Sequence, residues 1–126
     1  MKILIVDDSK AMRMLVSFNL KQAGYKGHTL LEAENGALGL QMVQEHAPDL
    51  VLSDWNMPEM TGIDFLKNLK IQFDDQKIPK IPAFMFVTSE STHDMLELAV
   101  SHGALGLITK PFSPEVFEKK LANIIT

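Results

Sequence analysis

Short apolar runs alternate along this chain with stretches in which apolar residues recur every three or four positions. The short runs are rich in β-branched residues and predict strands, whereas the three-to-four spacing predicts amphipathic helices. Because a parallel strand needs a crossover helix before the next strand, this alternation predicts an α/β fold with a five-stranded parallel sheet. The predicted strands are Lys2–Val6, Thr29–Ala33, Leu50–Ser53, Ala83–Val87 and Gly106–Ile108.

The predicted helices carry signals at their ends. Ser9 and Thr61 are suitable N-caps for the first and third helices, Ser113 before Pro114 opens the last, and Gly24 ends the first. The second helix contains two glycines and is expected to have low helix propensity. The predicted helices run over about Lys10–Ala23, Gly36–His46, from Gly62 to the loop at Asp74–Pro82, from Ser91 or Thr92 to Gly103, and from Ser113 onward.

Helical spacing also predicts which side chains face the core. These residues are, in chain order, Met12, Leu15, Val16, Leu20, Ala23, Ala37, Leu40, Val43, Ile63, Leu66, Leu69, Met95, Leu96, Ala99, Val100, Val116, Phe117, Leu121, Ile124 and Ile125. Right-handed crossovers place helices on both faces of such a sheet, so ligands bind beyond the carboxyl ends of the strands.

Composition narrows the class of protein. The 126 residues predict one domain over 1–126 with no output domain, and that length buries a core without disulfides. The net charge is −4, which argues against a nucleic-acid surface. No apolar run approaches the roughly 20 residues of a membrane span, and the chain does not start with a signal peptide, so we expect a cytoplasmic protein. Cysteine is absent and the histidines are scattered, so any metal must be bound by oxygen.

Five polar residues follow the ends of the predicted strands: Asp7 and Asp8, Asp54, Thr88 and Lys110. Clustered carboxylates repel one another unless a cation joins them, and Mg²⁺ prefers carboxylate oxygens together with water and phosphate oxygens. Asp54, alone at the end of the third strand, is the candidate nucleophile, whereas Asp7 and Asp8 look like a metal-binding pair. Lys110 and Mg²⁺ would stabilise a transferring phosphoryl group, to which Thr88 would donate a hydrogen bond.

Four segments give the sequence a specific resemblance. They are Asp7–Ser9, Ser53–Gly62 with its Asp-Trp-Asn-Met-Pro run, Val87–Thr88 and Thr109–Phe112. Together they resemble the receiver domain of two-component response regulators, and within that family the Asp54–Pro58 run is most similar to the chemotaxis regulators. The resemblance covers Lys2 to Ile125 and implies a flavodoxin-like fold with strand order 2-1-3-4-5.

The resemblance also implies a reaction and a set of roles. A sensor histidine kinase, a phosphotransfer protein or a small donor would phosphorylate Asp54 in the presence of Mg²⁺. By the family pattern, Asp8 and Asp54 bind Mg²⁺ directly, the backbone carbonyl of Asn56 is a third ligand, and Asp7 acts through water. Lys110 would pair with the phosphoryl group, with a cis peptide bond to Pro111, and Thr88 would move toward the phosphate.

Three further positions are expected to modulate the output. Asn56 and Glu90 match family positions that modulate hydrolysis, which predicts a short-lived phosphoryl group. Leu107 stands where related proteins carry an aromatic residue with a hydroxyl, so we expect altered coupling to the surface of the fourth helix, fifth strand and fifth helix. We expect that surface to bind a downstream protein, such as a flagellar motor switch or a phosphatase, and to include Leu96, Val100, Leu107, Thr109 and Lys120, with Leu107 as an apolar patch.

Other functions fit less well. A haloacid dehalogenase-type enzyme needs a carboxylic acid two residues after the nucleophile, where this chain has Asn56. A flavin carrier would bind its phosphate in a Ser/Thr/Gly-rich first loop, where this chain has Asp7 and Asp8. A phosphate sink, a phosphorelay intermediate and a receiver cut from a longer regulator remain open. We expect a monomeric signalling protein and not a conventional enzyme.

Overall fold

The computed structural model describes residues 1–125. The elements are β1 (Lys2–Val6), α1 (Lys10–Leu20) with a π-helical turn (Lys21–Tyr25), β2 (Thr29–Ala33), α2 (Gly36–His46), β3 (Leu50–Ser53), α3 (Gly62–Asp74), β4 (Ala83–Thr88), α4 (His93–Ser101), β5 (Leu107–Thr109) and α5 (Pro114–Leu121). The N-caps are as predicted: the side chains of Ser9, Thr61, Thr92 and Ser113 each accept a backbone N–H three residues on.

The five strands form one parallel sheet in the order β2-β1-β3-β4-β5. This confirms the flavodoxin-like fold and the strand order implied by the resemblance. In the register, Val6 pairs with Ala33 on one side and with Ser53 on the other. The residues that follow these strands therefore meet at one edge of the sheet.

Helices cover both faces of the sheet, and successive strand residues point to opposite faces. In β1, Leu4 and Val6 pack with residues of α2, α3 and α4, whereas Ile3 and Ile5 pack with residues of α1 and α5. Burial on both faces explains why β1 and β3 are nearly continuous apolar runs.

Four helix residues predicted to face the core are exposed instead: Leu15, Ala37, Leu96 and Val100. In α2, the buried positions are Gly36 and Gly39 in place of Ala37. The side chain of Phe65 approaches so closely that a Cβ on Gly39 would lie 2.9 Å from its ring. Glycine faces the core here because it leaves room for a neighbouring ring. In α4, Ala99 is the buried residue, which leaves Leu96 and Val100 at the solvent.

Within residues 1–125, no helix is long and apolar enough to cross a lipid bilayer.

Phe65 is expected to be a principal contributor to stability. It is fully buried, packs edge to face on Phe84 with ring centroids 5.5 Å apart, and fills the space beside Gly39. We expect Phe65→Ala to lower the free energy of unfolding by about 3–5 kcal/mol, because it leaves a cavity between α2, α3 and the sheet. Urea denaturation measures this value.

Phe73 provides a matched control on the same helix, since its side chain is 40% exposed. We expect Phe73→Ala to change the free energy of unfolding by less than about 1 kcal/mol. Equal losses for the two variants would contradict this account of the core.

Candidate functional site

Three carboxylates meet at the carboxyl edge of the sheet. Asp7 and Asp8 follow β1, Asp54 follows β3, and one oxygen from each lies within 4.8 Å of the others. Asp7 is buried, Asp54 is half-buried and Asp8 is exposed. The edge predicted from the sequence therefore exists, and the cluster opens to solvent through Asp8.

Lys110 reaches this cluster from the end of β5. Its Nζ lies 3.3 Å from Oδ2 of Asp7 and 3.5 Å from Oδ2 of Asp54. Its backbone N–H donates to the carbonyl of Thr88 at 2.7 Å, which fixes the start of its side chain beside β4. The peptide bond between Lys110 and Pro111 is cis, as the resemblance implies. One ammonium group thus lies between two of the three carboxylates.

The loop after β3 holds Asp54 tightly. The N–H of Asp54 donates to the carbonyl of Val6 at 2.9 Å, and Oδ1 of Asp54 accepts the N–H of Trp55 at 2.8 Å. A Cβ on Gly62 would collide with the carbonyl oxygen of Asp54 and lie 2.6 Å from the ring of Phe86. Only glycine therefore allows α3 to begin this close to the Asp54 backbone.

Burial raises the pKa of the Asp54 carboxyl above its ordinary value. The negative charge of Asp7 raises this pKa further, while the positive charge of Lys110 and the N–H of Trp55 lower it. The charged form of Asp54 is therefore destabilised in the folded protein and would gain from an added cation.

The other predicted site residues lie around the same edge. Thr88 is fully buried at the end of β4, and its Oγ1 accepts the N–H of Glu90 at 3.4 Å. Asn56 and Glu90 are exposed in the loops after β3 and β4.

Leu107 is buried, with 6% of its surface exposed, and so it is not an apolar surface patch as expected. It pairs with Phe86 in the sheet and packs in the core on the side of α2, α3 and α4. The remaining residues expected on that surface are exposed: Leu96, Val100, Thr109 and Lys120.

Arg13 was not predicted to belong to the site, yet it contacts the backbone of Asp7. Its Nη1 donates to the backbone carbonyl of Asp7 at 2.7 Å, and its Nε donates to Glu32 at 2.9 Å. An arginine in an amphipathic helix is ordinarily a surface residue, so only the position of α1 beside β1 and β2 identifies its partners.

The donor set suits a hard divalent cation. All of the clustered ligand atoms are carboxylate oxygens, which Mg²⁺ prefers, and no histidine or cysteine of residues 1–125 joins them. With one ammonium among three carboxylates, the cluster retains a negative charge that a divalent cation would neutralise.

Both the family model and the similar proteins relate the chain to response regulator receiver domains. The sequence model of the response regulator receiver domain matches residues 3–122. The chain is 38% identical to chemotaxis protein CheY-3 of Vibrio cholerae, over 98% of this chain and 91% of that protein. It is 36% identical to chemotaxis protein CheY1 of Helicobacter pylori, over 99% and 97% of the two chains.

Two of the solved structures that resemble this chain are likewise a response regulator and a receiver domain protein. The chemotaxis response regulator CheY4 of Vibrio cholerae superposes with a TM-score of 0.80 at 33% identity, over 98% of this chain and 97% of that one. A receiver domain protein from Clostridium thermocellum has a TM-score of 0.77 at 26% identity, over 98% and 93%.

The raised pKa of Asp54 predicts how stability depends on pH in metal-free buffer. The folded protein holds the Asp54 proton more tightly than the unfolded chain, so stability is lost as pH rises through the folded pKa. We expect Asp54→Asn to be more stable than the wild type at pH 7, with an advantage that shrinks as the pH falls through the folded pKa of Asp54 and is lost below about pH 4, the pKa of the unfolded chain. Urea denaturation across this pH range, in EDTA, measures the difference.

Asp75→Asn serves as the control, because it removes the same charge from an exposed loop residue. An advantage of Asp54→Asn that grows as the pH falls would contradict the direction assigned to the Asp54 pKa.

Proposed function

Since this chain belongs to the response regulator receiver domain family and is a CheY-like response regulator, we propose that it accepts a phosphoryl group on Asp54 in a Mg²⁺-dependent reaction. The observation that carries this proposal is the contact of Lys110 with Asp54 inside a cluster of three carboxylates. The chemotaxis relatives favour neither a phosphate sink nor a relay intermediate.

In the proposed reaction, a carboxylate oxygen of Asp54 attacks the phosphorus of a phosphohistidine or of acetyl phosphate. The new P–O bond forms an acyl phosphate, while the bond to the donor breaks and the donor leaves with its electron pair. Lys110 is placed to pair with the phosphoryl oxygens as they arrive, because its Nζ already lies 3.5 Å from Asp54. When bound, Mg²⁺ supplies positive charge that offsets the charge on the transferring group.

We assign the metal to Asp8, Asp54 and the backbone carbonyl of Asn56, with Asp7 acting through water. The closeness of the three carboxylates and the exposure of Asp8 support this assignment. Asp7 is already engaged by Lys110 and by the N–H of Ser9, which suits an indirect role.

Thr88 is the proposed sensor of the phosphoryl group. It stands buried at the end of β4, where its hydroxyl would donate to a phosphoryl oxygen once that oxygen is present. Because this hydrogen bond would form only after phosphorylation, it would draw Thr88 toward the phosphate and so move the β4–α4 loop, which begins directly after Thr88.

The proposed signal leaves through protein contact. The phosphodonor is a sensor histidine kinase or phosphotransfer protein in the cytoplasm, and the monomer signals by binding a downstream protein such as a flagellar motor switch or a phosphatase. The surface proposed for that target consists of exposed residues on α4, β5 and α5: Leu96, Val100, Thr109 and Lys120. Nucleic acid is not a proposed partner, in line with the net charge of −4.

Intact mass after incubation with acetyl phosphate tests the proposed acceptor. We expect the mass of one added phosphoryl group on the wild type in Mg²⁺, none in EDTA, and none on Asp54→Asn. Lys110→Ala is expected to show a lower yield, because the positive charge nearest to Asp54 is lost.

Asp64→Asn is the matched control, since it removes an exposed aspartate at the start of α3. Phosphorylation of Asp54→Asn equal to that of the wild type would refute the assignment of the acceptor. No modification of the wild type at all would refute the proposed function.

The lifetime of the phosphoryl group provides a separate prediction. We expect Asn56→Ala and Glu90→Ala to change the rate constant for loss of the phosphoryl group after donor removal, because both side chains are exposed at the edge where water must approach. Glu97→Ala, on the exposed face of α4, is expected to leave it unchanged. If Asn56→Ala and Glu90→Ala lose the phosphoryl group with the same rate constant as the wild type and Glu97→Ala, neither Asn56 nor Glu90 modulates hydrolysis.

A further inference from the structure

Asp7 is fixed by its backbone as well as by its carboxylate. Its N–H donates to the carbonyl of Ala33 at 3.1 Å, and its Oδ1 accepts the N–H of Ser9 at 2.9 Å. Its carbonyl oxygen accepts Nη1 of Arg13 at 2.7 Å. That carbonyl belongs to the peptide between Asp7 and Asp8. Arg13 therefore restrains the peptide plane that leads into Asp8.

Arg13 is itself held in place. Its side chain is 13% exposed, and its Nε donates to Oε1 of Glu32 on β2 at 2.9 Å. One planar guanidinium thus joins α1 to the ends of both β1 and β2. A lysine ammonium is a single point charge and cannot present two donors in the same fixed geometry.

Asp8 lacks comparable support. Its side chain is exposed, and in the described part of the chain hydrogen bonds reach the carboxylate of Asp7 but not that of Asp8. Yet one Asp8 oxygen lies within 4.8 Å of oxygens of Asp7 and Asp54. The orientation of the Asp8 carboxylate therefore depends on the backbone conformation at Asp8.

We propose that Arg13 is a positioning residue for metal binding, which holds the Asp7–Asp8 peptide so that the Asp8 carboxylate faces Asp7 and Asp54. The inference rests on the proposed function, because Mg²⁺ is the ion that this arrangement serves. Glu32 supports the same geometry through Arg13.

Charge alone predicts the opposite effect. Arg13 is a cation close to a proposed cation site, and its removal would strengthen Mg²⁺ binding if electrostatic repulsion were its main contribution. The positioning role and the charge effect therefore have opposite signs, and one titration separates them.

The experiment is a Mg²⁺ titration followed by the fluorescence of Trp55, the residue next to Asp54. We expect Arg13→Ala to weaken Mg²⁺ binding about 10-fold, as is typical for loss of a partner that orients a metal ligand. Arg13→Lys is expected to weaken it less, because the lysine ammonium can still reach one of the two contacts. Lys10→Ala removes an exposed cation from the same helical turn and is expected to cause no loss.

A second measurement needs no metal. Amide hydrogen exchange at Ser9 in EDTA reports the order of the turn, because the Ser9 N–H donates to Asp7. We expect faster exchange in Arg13→Ala than in the wild type and no change in Lys10→Ala. Thermal unfolding in EDTA establishes that each variant is folded. If Arg13→Ala is unfolded, both measurements are made on Arg13→Lys and Glu32→Ala. We expect each of these variants to bind Mg²⁺ more weakly than the wild type and to exchange the Ser9 amide faster.

Two results would overturn the inference: Mg²⁺ binding by Arg13→Ala as tight as that of the wild type or tighter, or unchanged exchange at Ser9. A wild type that does not respond to Mg²⁺ contradicts the proposed function instead. In that case the exchange at Ser9 still decides whether Arg13 orders the turn.

Discussion

Carboxylates held within 4.8 Å of one another repel strongly in a partly buried site unless positive charge lies among them. This repulsion is the constraint on which the rest of the carboxyl edge depends. Lys110 offsets part of it by contacting both Asp7 and Asp54. Burial nevertheless keeps the pKa of Asp54 raised, with a smaller contribution from the charge of Asp7, and Asp8 stays exposed with no cation of residues 1–125 beside it. The site thus retains negative charge that a further cation would offset.

The sheet holds these carboxylates close together despite their mutual repulsion. Asp7 and Asp54 follow neighbouring strands, and backbone hydrogen bonds hold both residues: Asp7 to Ala33, and Asp54 to Val6. Lys110 starts two strands further along, at the end of β5, and its long side chain crosses that distance. The apolar core on both faces keeps the three strand ends in register, so the repulsion cannot relax by moving them apart.

Local signals in the sequence were sufficient to predict most of the secondary structure and the residues at the strand ends. All five strands were predicted within one residue of their bounds, and the strand-end positions of Asp7, Asp8, Asp54, Thr88 and Lys110 followed directly. The strand order did not follow from the pattern, since it came from the family resemblance.

The predictions were wrong or incomplete for residues whose burial and contacts depend on tertiary packing. Hydrophobic spacing counts Leu15 and Ala37 as core residues, but it cannot detect a face on which Gly39 is buried because Phe65 fills the space. Leu107 was expected at the surface by its place in the family pattern, yet its position in β5 points it into the core. Arg13 carries no local signal at all, because its partners lie on β1 and β2.

The ion pair between Asp7 and Lys110 joins residues 103 positions apart in the chain. During synthesis, the acidic residues therefore leave the ribosome long before the lysine that balances them. A nascent chain holding β1 and β3 alone has the candidate acceptor but no ammonium beside it. The charge balance of the site arises only when β5 joins the edge of the sheet, so a partly made chain lacks the complete site of the folded protein.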